Sequence, residues 1–207
     1  MGQLLACATP DGILVATDSR AEVFDTTGEE QFTTVDRLIR LTSHVVLASA
    51  GALEAQDLAR EFAALVKDEN LREFEAIIQA AVPFFSGKMD DFFRKACEKL
   101  PLNPVINMYL LIAGYSATTP DNPFRLHLIW DRLRPPRVEF TGDAYIFTMP
   151  RRLSLEYRLN QLVASRASLA EIAAFAKSAM EKLAGQDSYV GPPFRFLSIT
   201  KEGLTEI

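Results

Sequence analysis

The chain has 207 residues, of which 48% are hydrophobic and 24% are charged, the balance of an ordinary globular domain. A formal net charge of -5 argues against general affinity for nucleic acid. The longest apolar runs fall far short of the ~18–20 residues that a membrane-spanning helix needs. The two cysteines give neither a disulfide framework nor a metal-binding spacing. We therefore expect a single cytoplasmic domain over residues 1–207, with reduced thiols, no metal, no cofactor and neither nucleic acid nor membrane as partner.

The first part of the chain predicts strands. Leu4–Ala8 and Ile13–Thr17 are short apolar runs on either side of Thr9-Pro10-Asp11-Gly12, a turn sequence, and together they predict a β-hairpin. Residues 25–30 are polar and predict a loop. Two more strands are predicted over 38–41 and 45–49, separated by the segment 42–44.

Helical periodicity begins after Gly51. Leu58, Phe62, Leu65 and Val66 fall on one face of a helix, and a second helix is predicted after Asn70. Pro83 is expected to interrupt that second helix or to begin a new one, because proline removes a backbone donor. The neighbouring phenylalanines are more typical of a core or a subunit contact than of a ligand site; they are Phe84, Phe85, Phe92 and Phe93.

Strands are then predicted over 105–114, 124–130, 137–140 and 144–147. A helix is marked by apolar residues from Leu155 to Val163, and Ser168 with Glu171 predicts the capping box of another helix. A last strand is predicted over 194–200. Because strands and helices come in separate runs, they favour stacked layers over alternating βαβ units. The predicted class is α+β, with a four-layer αββα sandwich.

Several short motifs carry a resemblance to a known family. The segment from Asp11 to Ala21 resembles the opening of proteasome subunits, where an Asp-Gly turn leads into an apolar strand that ends in Asp-Ser-Arg-Ala. Further short matches lie at 45–58, 112–115 and 187–191, so the resemblance spans nearly the whole chain. It implies the αββα sandwich of the N-terminal-nucleophile hydrolases. It also implies a homo-oligomeric ring, single or stacked as a double ring, with unfolded protein or peptides as candidate substrates.

The resemblance also implies which residues would form the site. Active family members use an N-terminal threonine, whose hydroxyl attacks the peptide carbonyl while its α-amine assists as base. Asp18 matches an aspartate that holds the active-site lysine, Arg37 falls where that lysine is expected, and Gly2 stands at the nucleophile position. Asp187 matches a second aspartate, whereas Val190 stands where a serine is expected. Glycine has no side chain to attack with, and arginine stays charged.

Three functions remain open from the sequence. The first is a ring-forming subunit without peptidase activity of its own. The second is an active N-terminal-nucleophile hydrolase, a threonine-type peptidase or amidase, with a divergent or processed nucleophile. Cys7 and Thr9 are its candidates, although cleavage there would remove part of the first strand. The third is a small-molecule-binding protein that uses the pocket around Asp18 and Arg37. A purely structural salt bridge would equally explain that pair.

The remaining polar residues have ordinary explanations beside the functional ones. Asp187 is also typical of a loop or cap residue, and His44 and His127 are typical of hydrogen-bonded histidines in or beside strands. Pro150-Arg151-Arg152 replaces a Gly-Ser-Gly turn of the family. A basic cluster predicts a solvated face, a subunit contact or an anion site; its members are Arg132, Arg134, Arg137, Arg151 and Arg152.

Overall fold

The computed structural model describes residues 2–24, 27–99, 108–130, 138–140 and 145–207. Their strands are β1 (Leu4–Thr9), β2 (Gly12–Thr17), β3 (Arg20–Phe24), β4 (Glu30–Thr34), β5 (Leu38–Arg40), β6 (Val45–Gly51), β7 (Met108–Tyr115), β8 (Phe124–Trp130), β9 (Val138–Phe140), β10 (Tyr145–Met149), β11 (Arg195–Thr200) and β12 (Gly203–Glu206). Their helices are α1 (Glu54–Asp68), α2 (Phe74–Lys99), α3 (Leu153–Ala164) and α4 (Leu169–Ala184).

The strands form two antiparallel five-stranded sheets and a separate hairpin. One sheet has the order β10-β1-β2-β11-β12 and the other has the order β5-β6-β7-β8-β9. The predicted N-terminal hairpin is confirmed, with Leu5 of β1 opposite Ala16 of β2. Both strands of that hairpin are buried along their whole length. Such strands read as continuous apolar runs, because neither face of the sheet meets solvent.

Three apolar cores show how the layers stack. Leu4 and Val15 pack against Val46 and Leu111 between the two sheets. The opposite faces of the sheets are covered by helices. α1 and α2 lie on the sheet that contains β6 and β7, and α3 and α4 lie on the sheet that contains β1 and β2. The order of layers is therefore helices, sheet, sheet, helices. The predicted α+β class is confirmed.

The prediction that Pro83 breaks a helix is wrong. α2 runs without interruption from Phe74 to Lys99 with Pro83 inside it. Buried Ile77 and Ala81 precede the proline, and buried Phe85 and Met89 follow it, so one apolar face continues across it. Packing of that face on the sheet outweighs the ~3 kcal/mol that an interior proline costs.

Three strands were not predicted: β3, β4 and β12. Every residue of β4 is exposed, so this strand of the β3–β4 hairpin gives no hydrophobic signal. β12 has four residues, of which Gly203 is buried and the last two are exposed. The beginnings of three predicted strands, at residues 105–107, 137 and 144, lie outside the described residues. The predicted capping box of α4 is confirmed, because Ser168 and Glu171 bond each other's backbone amides.

Candidate functional site

Asp18 follows the last residue of β2 and is completely buried. Its Oδ1 accepts a hydrogen bond from the backbone amide of Gln3 at 2.8 Å. Its Oδ2 accepts from the amides of Gly191 at 3.1 Å and Arg20 at 3.3 Å. These amides belong to the beginning of the chain, the loop before β11 and the first residue of β3. One carboxylate therefore joins its own part of the chain to two segments that are distant in sequence, at Gln3 and at Gly191.

Arg37 precedes β5 and is the counter-charge of Asp18. Its side chain is 2% exposed, and its Nε lies 3.5 Å from Asp18 Oδ1. Its Nη2 donates to the carbonyl oxygen of Arg20 at 2.8 Å. The sequence placed these two residues as a pair, and the structure brings them together.

Burial acts on both charges of this pair. It raises the pKa of the Asp18 carboxyl, and Arg37 and the three backbone amides oppose that increase. It lowers the pKa of the Arg37 guanidinium, and the charge of Asp18 opposes that decrease. Because a guanidinium does not lose its proton in proteins, Arg37 remains a cation at neutral pH. Arg37 therefore cannot supply the proton transfer that a lysine would give.

Gly2 lies directly against the Asp18–Arg37 pair. A Cβ atom added at Gly2 would overlap Asp18 Oδ1 and would lie 2.7 Å from Arg37 Nε and 2.8 Å from Arg37 Nη2. Carbon atoms do not approach other heavy atoms this closely without displacing them. The charged groups therefore occupy the space in which a nucleophilic side chain at position 2 would stand.

Asp187 lies in the loop after α4 and has the second arginine of the site as its partner. Its Oδ2 accepts a hydrogen bond from Arg152 Nη2, and its Oδ1 accepts from the amide of Tyr189 at 3.1 Å. Burial raises the pKa of the Asp187 carboxyl, but the bonds from Arg152 and Tyr189 outweigh this, and the pKa lies below its ordinary value. Asp187 is thus a carboxylate at neutral pH. Its bond to the amide two residues further on is the one that aspartate makes in loop turns.

Gln3 and the 187–191 loop connect the two aspartates. The Gln3 amide binds Asp18, and its Oε1 accepts from Arg152 Nε at 3.2 Å. Ser19 donates from its backbone to Gly191 O at 3.2 Å. The residues taken from the sequence, Gly2, Asp18, Arg37 and Asp187, therefore lie in one connected region.

Gln3, Arg20 and Gly191 were not identified from the sequence. All three bind Asp18 through their backbone amides, which leave no residue signature. Gln3 is the one with a readable signal, because it is a buried polar residue at the head of an apolar run.

The segment Pro150-Arg151-Arg152 contributes to the site through Arg152. The Arg152 amide donates to Thr148 Oγ1 at 2.8 Å, which fixes the start of α3. Arg151 instead pairs with Glu156 at 3.1 Å on the surface. Val190 is completely buried, where the family resemblance leads one to expect a serine. Of the predicted basic cluster, Arg132, Arg134 and Arg137 lie outside the described residues.

The other candidate nucleophiles are enclosed by the fold. Cys7 lies inside β1 with no exposed surface, and burial raises the pKa of its thiol to about 12. Its thiolate, the reactive form, is therefore not available at neutral pH. Thr9 Oγ1 donates to Gly12 O at 3.1 Å within the hairpin turn.

The two histidines lie in different kinds of element. His127 is buried in β8, with its ring edge-on to Phe74 at 5.8 Å. His44 lies in the turn between β5 and β6 rather than in a strand.

Phe85 is fully buried in the core beneath α2, with Phe84 and Phe92 packed against that core. The side chain of Phe93 lies outside the described residues.

Comparison of the chain with models of protein families and with curated proteins finds no match. Within the described ranges, no three histidine, cysteine, aspartate or glutamate side chains are grouped so that they could hold a metal ion. No helix in the same part of the chain is long and apolar enough to cross a membrane.

Proposed function

We propose that this chain is a proteasome-like subunit that assembles into a homo-oligomeric ring, single or stacked as a double ring, and has no peptidase activity of its own. The observation that carries the proposal is the filled space at Gly2. A threonine there would overlap Asp18 and Arg37, and Arg37, which keeps its proton, cannot act as a base for its hydroxyl.

The stacking of helices and sheets supports the choice of family. Two facing sheets covered by helix pairs are compatible with the αββα sandwich of the N-terminal-nucleophile hydrolases. The positions that resemble the family's motifs also lie together, since Asp18 contacts Gln3 and Gly191 while Asp187 reaches Gln3 through Arg152.

The two alternative functions have less support. Cys7 and Thr9 are buried in the N-terminal hairpin, so a processed nucleophile there would require half of β1 to be removed. A small-molecule site around Asp18 and Arg37 would need access from solvent, and these side chains are 0% and 2% exposed.

Self-assembly is supported by the outer surface of α3. Leu153 and Tyr157 are 66% and 63% exposed, and they stand one helical turn apart. Tyr157 borders a groove of about 890 Å³ between α3 and α4, with Leu155, Leu162 and Phe175 in its lining. Exposed apolar surface beside such a groove is typical of an interaction site.

Mass spectrometry of the purified protein tests the proposal. Under native conditions we expect a closed homo-oligomer, and under denaturing conditions a chain that is not cut between residue 2 and β1. Short fluorogenic peptides should not be hydrolysed. A monomer would contradict ring formation, and a chain that begins with Thr, Ser or Cys together with peptide turnover would contradict the loss of activity.

A surface variant locates the contact. Leu153→Asp should weaken the oligomer while leaving the far-ultraviolet circular dichroism of the folded subunit unchanged, because the residue is exposed in the single chain. Leu53→Asp is the matched control, a 37% exposed leucine beside α1 in the opposite outer layer. Equal oligomer mass for wild type and Leu153→Asp would exclude the α3 surface from the contact.

A further inference from the structure

A second polar site lies at the other end of β11 from Asp18. Ser43 and His44 form the turn between β5 and β6, and this turn packs against the turn between β11 and β12. Leu204 donates from its backbone to Ser43 O at 2.9 Å. Ser43 is exposed and His44 is partly buried, so the serine hydroxyl is open to solvent while the imidazole is held.

The hydrogen bonds of His44 fix its tautomer. His44 Nε2 lies 3.2 Å from the carbonyl oxygen of Lys201, and a carbonyl can only accept, so Nε2 carries the hydrogen. In the neutral imidazole Nδ1 is then an acceptor. Ser43 Oγ lies 2.8 Å from that nitrogen, so the serine hydroxyl donates to it. A hydroxyl, a base and a group that orients the base therefore stand in line, which is the arrangement of an activated nucleophile.

The pair borders a cavity of the size that small ligands occupy. Its volume is about 550 Å³, within the ~300–1,000 Å³ of typical ligand sites. Lys67 and Arg72 supply two cations to the lining and Glu73 supplies one carboxylate, so the lining is positive on balance. The ring of Tyr115 lies 5.7 Å from the imidazole and forms part of the same wall. These groups favour a small ligand that carries an anionic group.

We propose that Ser43 and His44 are a nucleophile and its base, and that they hydrolyse small esters bearing an anionic group. Ser43 Oγ attacks the ester carbonyl carbon and passes its proton to His44 Nδ1. The carbon–oxygen bond of the ester then breaks, and the leaving alcohol takes that proton, which leaves an acyl group on Ser43. A water molecule attacks the acyl carbon and gives a proton to Nδ1. Ser43 regains it as the carboxylic acid departs.

The group that orients His44 sets the expected rate of ester hydrolysis. The imidazolium that forms during attack is held by the neutral carbonyl of Lys201, where a full carboxylate charge would stabilise it more. We therefore expect slow turnover that is confined to esters with good leaving groups. The general base should still contribute roughly 100-fold to 10,000-fold. This activity is separate from the proposed function, because Gly2, Asp18 and Arg37 take no part in it.

A fluorophosphonate probe tests the pair directly, because a serine activated by a base displaces fluoride and keeps the phosphonyl group. Peptide mapping should place the adduct on Ser43. Ser43→Ala should abolish it, and His44→Gln should slow it by roughly 100-fold or more. Ser178→Ala is the matched control, a serine in the α3–α4 groove, and it should react as wild type does. Melting temperatures of all variants show whether each is folded.

Ester hydrolysis tests the substrate class. Mono-p-nitrophenyl succinate should be cleaved faster than uncharged p-nitrophenyl acetate, and Lys67→Met should bring the ratio of the two rates close to one. The proposal is overturned if folded wild-type protein gives no adduct on Ser43, or if His44→Gln reacts at the wild-type rate. In both of those cases the contacts of His44 only join two turns. Because the adduct is mapped to a residue, neither result depends on ring formation or on the Gly2 site.

Discussion

The region around Gly2 contains two aspartate–arginine pairs that differ in burial. Asp18 and Arg37 are 0% and 2% exposed, whereas Asp187 and Arg152 are 25% and 31% exposed. The buried pair binds three backbone amides and fills the space beside Gly2. The partly exposed pair joins the 187–191 loop to the start of α3. Identical residue types thus have different roles, because a buried charge must keep all its partners while an exposed one can exchange them for water.

Removal of one buried charge should have the largest effect. Arg37→Ala leaves the Asp18 carboxylate without its counter-charge in a site closed to water, and we expect a loss of ~3–5 kcal/mol in the free energy of unfolding. Urea unfolding followed by circular dichroism measures it. The double variant Asp18→Ala with Arg37→Ala should lose less than the sum of the two single variants. A loss below about 1 kcal/mol for Arg37→Ala would mean that this pair stabilises the protein no more than an exposed ion pair does.

A methyl group at Gly2 should have an intermediate effect. Gly2→Ala pushes its Cβ into the buried pair, and overpacking of this kind costs ~1–3 kcal/mol. Gly87→Ala is the control, since a Cβ at that exposed position of α2 meets nothing within 4 Å. That change should be neutral or stabilise by ~0.5–1 kcal/mol. If both variants unfold at the same urea concentration as wild type, Gly2 has free space beside it, in which a nucleophilic side chain would fit.

Removal of the partly exposed arginine should have the smallest effect. Arg152→Ala should cost about 1 kcal/mol or less at neutral pH, since solvent screens a pair of this exposure. The folded-state pKa of Asp187 lies below its ordinary value, so the contribution is complete above the ordinary aspartate pKa of about 4. It is lost as the pH falls through the lower, folded-state pKa.

Thermal unfolding at several pH values checks this dependence. Wild type and Arg152→Ala should differ near pH 6 and converge toward pH 3. Arg94→Ala, which breaks an ion pair that is 67% and 58% exposed, should differ little from wild type at any of these values. A difference that grows as the solution becomes more acidic would contradict the assigned direction of the Asp187 pKa.

The sequence predicted those elements that carry a local signal: an apolar run, a turn sequence, a helical period or a cap. The N-terminal hairpin and the α4 capping box depend on contacts between near neighbours, and both were found. β4 was not predicted, because an entirely exposed strand has no apolar period. Pro83 does not end α2, because an apolar face continues on both sides of it and its packing outweighs the local backbone preference.

The candidate site was predictable to the extent that side chains define it. Asp18, Arg37 and Asp187 are charged residues at positions that a family resemblance can identify. The amides of Gly191 and Arg20 are donors that every non-proline residue carries, so nothing in the sequence marks them. The bond between His44 and Lys201 spans 157 positions of the chain, and no local pattern indicates such a contact.

The strand order of the first sheet has a consequence for the time at which the protein acquires its structure. β1 lies between β2, its neighbour in sequence, and β10, where Ile146 stands opposite Cys7. On its other side β2 pairs with β11, where Phe196 stands opposite Ala16. Contacts of such long sequence separation form slowly, because a large loop must close first. During synthesis, the apolar hairpin therefore exists long before either flanking strand is made, and this interval is when the protein is most exposed to aggregation.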